Sequence, residues 1–381
     1  MFSRRTAWAL EPAAPLAADL DLTLSNPTAA GFTYPDDLYR ALADERSAVY
    51  DPLPFGLASA REAVAAYYAA RLGAPVDPAR VGLCASTSEA YSHLLALLCD
   101  PGDVVLVPRP GYPLLDLLAE IGDTRLVHYP LLYDGAWSLD LAALERLLAA
   151  TPDVRALVVV APNNPTGNYL RPHELAALQR LLAPRDIALL VDEVFWDYPL
   201  APGPRPTSLT GPHDALTFTL SGLSKVAALP QLKLSWWLAH GPDALVHAAL
   251  ARLELIADTF LSVATPVQHA LPRLLAAAPG MQAQISRRTL RNLESLRAAS
   301  SASAFSVLDV DAGWLALLRL PAVHDLDGAA WAALLLRRGL HVQSGHLYGL
   351  HGPHVAVSLL TPEPVLHAGL QRLHAALRDL L

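Results

Sequence analysis

The 381 residues suffice for two domains at roughly 150 residues each. Their 36 acidic and 28 basic side chains leave a net charge of −8, and no basic cluster exceeds pairs such as Arg4-Arg5 or Arg287-Arg288, which excludes the electrostatic footprint of a nucleic-acid binder. Although 53% of the chain is hydrophobic, Asp, Arg, Pro or Gly interrupts every apolar run short of the roughly 18 residues a membrane span needs, so a soluble protein with a small-molecule partner is expected.

The opening MFSRRTAWAL lacks the continuous apolar core of a secretion signal, which points to the cytoplasm. Residues 1–45, rich in Ala, Pro and Asp with turn signals at Asn26-Pro27, Gly31 and Pro35, read as an irregular arm leading to a short helix. The pattern then alternates. Ala58–Leu72 is a predicted helix stopped by Gly73, Val81–Cys84 a short strand, Ser86–Cys99 a helix closed by Asp100-Pro101-Gly102, and Val104–Val107 a strand. Ala156–Val160, Ala188–Val191 and Ala215–Leu220 are further apolar strands, with Glu174–Leu182 helical between the first two. Short β-branched strands separated by helices imply an α/β fold whose mostly parallel sheet is covered on both faces.

After Pro266 the chain becomes helical, then changes character. Phe305–Val310, Trp314–Leu318 and Val355–Leu359 read as strands, Gly328–Arg338 as a helix capped by Gly339, and Pro364–Leu381 as a last helix. Residues 46–274 are therefore expected to form a large domain. Residues 1–45 and 275–381 are expected to form a smaller α+β one.

Chemistry enters through an imbalance: 26 of the 28 basic residues are Arg, and the two lysines, Lys225 and Lys233, fall within nine residues. Arginine substitutes for lysine in surface ion pairs but stays protonated and is no amine nucleophile. Three other strand ends carry polar groups. Ser86-Thr87-Ser88-Glu89 opens a helix, where hydroxyls and free amides can hold an anion or simply cap the helix. Asn163-Asn164-Pro165-Thr166-Gly167 follows one strand, as a turn that also offers an amide, and Asp192-Glu193 ends the next. Ser221-Gly222-Leu223-Ser224-Lys225 ends the fourth. An anion cradle, a carboxylate and an amine are what pyridoxal phosphate requires, and no metal-ligand spacing competes; Cys84 and Cys99 form neither a metal-ligand nor a disulfide pattern.

With these motifs in this order, the chain resembles the class I/II aminotransferases of pyridoxal-phosphate fold type I. The resemblance runs from Leu24-Ser25-Asn26-Pro27-Thr28 to the C-terminal helix, most specifically in Pro162–Gly167, Val191-Asp192-Glu193 and Ser224-Lys225 with Leu229-Pro230. It implies a large domain with a mostly parallel, seven-stranded sheet between helices and a smaller α+β domain. It makes Lys225 the Schiff-base lysine and proton carrier, Asp192 the partner of the pyridine nitrogen, Asn164 a donor to the ring oxygen, and Tyr112 the aromatic stacked on the ring. Ser86, Thr87, Ser88, Ser221 and Lys233 would serve the phosphate. Tyr50, ahead of Gly56, would reach the phosphate of a neighbouring subunit, so a homodimer is implied; Ser262–Gln268 resembles another lent stretch.

Three departures are visible against that family. Phe195 stands where a tyrosine usually bonds the ring oxygen, with Tyr198 as a possible substitute that reads more readily as a surface residue. Lys233 replaces an arginine, and Gly222 stands where many relatives carry a serine for the phosphate, with Ser221 beside it. Ala356, in Val355-Ala356-Val357-Ser358, replaces the arginine that pairs with the substrate carboxylate, which leaves another cation, neutral donors or an amine substrate. His346, His351 and His354 lie nearby. The leading expectation is transamination between an amino acid or amine and a 2-oxo acid. The alternatives are elimination, cyclisation or oxidation at the same lysine, and the ligand-sensing half of a transcription regulator, which an acidic arm and the lack of a basic patch disfavour.

Overall fold

Most strands between residues 81 and 240 are apolar runs buried on both faces, and they assemble into one sheet. The computed structural model describes residues 2–6, 8, 18–201 and 213–380, so part of the expected N-terminal arm lies outside the described residues. In chain order the elements are β1 (Leu20–Asp21), α1 (Ala58–Leu72), β2 (Val81–Cys84), α2 (Thr87–Leu98), β3 (Val104–Arg109), α3 (Leu114–Ile121), β4 (Arg125–Tyr133), β5 (Trp137–Leu139), α4 (Leu141–Ala150), β6 (Val154–Val160), α5 (Pro172–Leu182), β7 (Ala188–Asp192), β8 (Thr217–Gly222), the one-turn α6 (Leu223–Val226), β9 (Ser235–His240) and α7 (Asp243–Phe260). The sheet order is β2-β9-β8-β7-β6-β3-β4-β5. Strands β3, β4, β6, β7 and β8 run parallel, and β9 is antiparallel to both neighbours. Seven strands match the expected sheet, and the three-residue β5 extends it to eight by an antiparallel hairpin with β4.

Side-chain alternation sorts these strands into two cores. Leu157, Val159, Leu189 and Val191 face Leu144 of α4 and Leu178 and Leu182 of α5. Val158, Leu190, Phe218 and Leu220 face Leu94 and Leu95 of α2 and Leu253 of α7. Burying each such side chain contributes about 1.5–3 kcal/mol. The carboxyl ends of β2, β6, β7 and β8 consequently meet at one edge, the ligand side of an open parallel sheet.

The rest of the chain forms α8 (Thr265–Ser301), β10 (Ser306–Val307), β11 (Leu315–Arg319), α9 (Gly328–Arg337), β12 (Leu340–His341), β13 (Gln343–Ser344), β14 (His354–Ser358) and α10 (Glu363–Arg378). An antiparallel sheet, β10-β11-β14-β13, packs with α9 and α10 around Trp331, Leu335, Leu366 and Leu370, and β1 pairs with β12. The 274/275 boundary expected from sequence falls inside α8, which runs unbroken from one part to the other. The strand expected over Phe305–Val310 shortens to two residues. Beyond Leu308 the chain leaves its sheet: Ala312 donates from its amide to the Gly167 carbonyl and Gly313 to that of Tyr198, which ties this segment to the sheet edge.

Candidate active site

At that edge lies a cavity of about 380 Å³ whose lining includes Thr87, Tyr112, Asn164, Asp192, Ser224 and Lys225. The Lys225 amine lies 4.8 Å from the centre of the Trp314 ring and 5.4 Å from that of Phe195, and it makes no hydrogen bond with described residues. Burial lowers its pKa to about 8, although Asp192 pulls the other way. Asp192 ends β7; its Oδ1 accepts from the Val194 amide at 3.1 Å and its Oδ2 from the Tyr91 hydroxyl at 3.2 Å. Burial outweighs these bonds and the Lys225 charge and raises the carboxyl to about 6. Removing each charge from water disfavours it, so an acid and a base with displaced pKa values face one cavity.

The loop after β6 is built to hold Asn164 forward. Asn163 donates from Nδ2 to the Pro110 carbonyl at 3.0 Å and to Thr166 Oγ1 at 2.7 Å. Gly167 has φ +69°, and a Cβ there would come within 2.3 Å of Val310 and 2.5 Å of the Ala312 carbonyl, so only glycine admits the crossing segment. The Oδ1 of Asn164 is buried without a hydrogen-bond partner among the described residues. At α2, Ser86 is the N-cap: its Oγ accepts from the Glu89 amide at 3.1 Å. The Thr87 and Ser88 amides donate to no described residue, leaving two donors at the positive end of the helix.

The remaining expected site residues do not all reach the cavity. Tyr112 is half-exposed at the cavity, whereas Tyr50 is 70% exposed and outside it. Lys233 is exposed at φ +51°, outside the lining. Ser221 is fully buried, its hydroxyl without a partner among the described residues. It leaves β8 on the face opposite to that of Gly222, because strand side chains alternate. Gln268, in the stretch resembling a lent segment, is committed within this chain: it accepts from the Leu57 amide at 2.7 Å and donates to the Val263 carbonyl. Tyr198 is not a surface residue. It is fully buried against Trp314, its hydroxyl donating to the Lys225 carbonyl, so it holds the lysine's backbone.

Ala356 packs, fully buried, in the cluster of Leu308, Leu317 and Tyr348. Of the nearby histidines only His346 lines the cavity; His354 is bonded through Nδ1 to the His351 carbonyl at 2.8 Å. Arg109, at the end of β3, lines the same cavity and forms no ion pair among the described residues. Its stem crosses Gly349, where a Cβ would lie 2.6 Å from Nε. Tyr91, Trp314 and Arg109 were not legible as site residues, because each belongs to an unremarkable apolar or turn pattern.

The family pattern described as aminotransferase class I and II matches residues 26–370. The chain belongs to that family. It is 30% identical over 260 residues to the glutamate-pyruvate aminotransferase AlaA of Haemophilus influenzae, a match covering 67% of this chain and 63% of that protein. It is 32% identical over 262 residues to the alanine aminotransferase of Mycobacterium bovis, covering 66% and 59%. The fold agrees with the alanine aminotransferase of Pyrococcus furiosus at a TM-score of 0.86 and 20% identity, over 94% of this chain and 92% of that one. A Thermus thermophilus aspartate aminotransferase mutant gives 0.85 at 24% identity, over 99% and 100%. Pyridoxal 5′-phosphate is the cofactor of this aminotransferase family, and the residues present fit it: the Asn164 side-chain amide, the α2 amides that donate to no described residue, the Asp192 carboxylate and the Lys225 amine all converge on one edge.

Proposed function

We propose that this chain is a pyridoxal-phosphate-dependent aminotransferase that moves an amino group between an amino acid or amine and a 2-oxo acid, as a cytoplasmic homodimer. The observation that carries the reading is the opening of the Lys225 amine and the Asp192 carboxylate into one cavity beside the free end of α2. When bound, the cofactor supplies an aldehyde for amines and a ring that withdraws electrons from the substrate Cα. Asp192 would keep the ring nitrogen protonated, and Lys225, with a pKa near 8, is matched to taking a proton from Cα near neutral pH. Asn164 would orient the ring oxygen, and Thr87 and Ser88 would hold the phosphate through their amides.

The names of the relatives put alanine, glutamate and pyruvate first among substrates to test. With Ala356 buried among apolar groups, the cation available for a carboxylate is Arg109. The dimer reading is supported by the exposure of Val49, Tyr50, Leu255 and Leu261, between 67% and 72% each. Free thiols at Cys84 and Cys99 suit a reducing compartment, and among the described residues no helix is long and apolar enough to cross a membrane. The test is a donor screen that follows cofactor absorbance. Transamination requires that an amino donor convert the cofactor to its pyridoxamine form, that a 2-oxo acid restore it, and that Lys225→Ala abolish both. Absence of any conversion across amino acids and simple amines would redirect the assignment to elimination, cyclisation or oxidation.

A further inference from the structure

We propose that Ser235 supplies a phosphate-binding hydroxyl to the site from β9, the strand beside the one that leads to Lys225. The proposal rests on the reading that the cavity holds pyridoxal phosphate. Gly222 ends β8 in extended conformation and is paired with Ser235, which is paired on its other side with Cys84 at the end of β2. Paired residues on adjacent strands point to the same face, so these three form one row across the carboxyl edge of the sheet. A Cβ built on Gly222 would lie 2.2 Å from Ser235 Oγ and 2.8 Å from its Cβ. The serine hydroxyl thus occupies the space where a side chain at 222 would begin, and the two positions cannot both carry one.

The row stands between the two parts of the cofactor site. From Cys84 the chain passes through Ala85 to the Ser86 cap and the free amides of α2, which packs against β9. From Gly222 it passes through Ser224 to Lys225. Ser235 is 3% exposed, and its hydroxyl bonds to none of the described residues. Unlike the Ser221 hydroxyl, that of Ser235 is not fully enclosed, so it stays reachable, and a phosphate oxygen beside the α2 amides would accept from it. Ser221 cannot take this role from the same row, since it pairs with Trp236 on the opposite face. Neither Lys233 nor Ser235 belongs to the cavity lining itself, but Lys233 is exposed, whereas Ser235 is buried and held by register beside Gly222, two residues from Ser224 of the lining.

The experiment compares dissociation constants of pyridoxal phosphate and of pyridoxal, which lacks the phosphate, for the cofactor-stripped full chain and its variants. Ser235→Ala should weaken pyridoxal phosphate binding roughly tenfold or more, as expected for one hydrogen bond to a charged group, while leaving pyridoxal binding within about twofold. The 31P resonance of the bound cofactor should shift. Gly222→Ser alone should weaken binding of both compounds by steric conflict, and Gly222→Ser with Ser235→Gly, which moves the hydroxyl across the strands, should recover much of the lost preference for the phosphate. Equal weakening of both compounds by Ser235→Ala, or an unchanged preference, would overturn the assignment. A wild-type protein with no preference for pyridoxal phosphate over pyridoxal would instead overturn the cofactor reading itself.

Discussion

Lys225 Nζ lies 4.8 Å from the centre of the Trp314 ring and 5.4 Å from that of Phe195, two rings that themselves meet edge to face at 5.4 Å. A protonated amine gains about 0.5–2 kcal/mol from such faces, which partly offsets the loss of water. The hydroxyl that usually bonds the cofactor ring oxygen is missing at Phe195, and Tyr198 does not replace it because its own hydroxyl is committed to the Lys225 carbonyl. Without that donor the deprotonated form of the lysine–cofactor unit would be less stable. Phe195→Tyr should therefore lower the midpoint of the absorbance titration by about one pH unit. A midpoint that stays in place would show that a hydroxyl at 195 does not reach the ring oxygen.

Asp192 gives a stability prediction with a definite sign. Its carboxyl rises from an ordinary value near 3.8 to about 6 because burial outweighs two hydrogen bonds and the Lys225 charge. The unfolded chain releases this proton first, so the contribution of Asp192 is fully favourable below pH 3.8 and is lost as pH rises through about 6. Near pH 8 the cofactor-free protein carries an unfavourable buried charge. Asp192→Asn should stabilise that form by about 2 kcal/mol at pH 8, and by much less at pH 4, in thermal or urea unfolding. The same variant should bind pyridoxal phosphate more weakly and lose most of its activity. Equal stability of the variant and wild type at pH 8 would mean that water reaches the carboxylate.

How much of this was legible beforehand depended on the type of signal. The strands that build the site, such as Ala188–Asp192, are short apolar runs buried on both faces, and their ends place Asn164, Asp192 and Lys225 at one edge whatever their neighbours do. Strand β9 escaped notice because Ser235-Trp236-Trp237 follows a turn without the usual β-branched run. The positions that differ most from expectation depend on tertiary contacts. Ser235 becomes meaningful only through its register with Gly222, and Tyr198 reads as a surface tyrosine until Trp314, over a hundred residues away, covers it. Arg109 is one arginine among 26 until the Tyr348-Gly349 turn brings it to the cavity.

A shared site makes a prediction that mixing can test. Tyr50 is exposed and does not line the cavity of its own chain, which leaves it available to a neighbouring subunit. The protein should sediment as a dimer. Lys225→Ala and Tyr50→Ala variants should each be strongly impaired alone and should regain activity when refolded together, because one of the two sites in a mixed dimer then carries neither lesion. Dimers that form but show no such complementation would place Tyr50 outside the neighbouring site.

The substrate carboxylate supplies the last prediction. Arg109 lines the cavity without an ion-pair partner among the described residues, and its charge adds to burial in holding the pKa of His128 below its usual range. If it anchors the carboxylate, Arg109→Gln should raise KM for α-amino acids about 10–100-fold, the range for losing one partner of a charged hydrogen bond, and leave KM for simple amines nearly unchanged. Gly349→Ala should reproduce part of that loss without touching the charge, since its Cβ would meet Arg109 Nε at 2.6 Å at a backbone φ of +75°. Restoring the more familiar position should not help. Ala356→Arg would force a charge and several methylenes into the packed cluster of Leu308, Leu317 and Tyr348, at a cost of about 2–4 kcal/mol in stability. An Ala356→Arg protein that folds with wild-type stability and lowers KM for amino acids would show that the old carboxylate site is still open and that Arg109 is not its replacement.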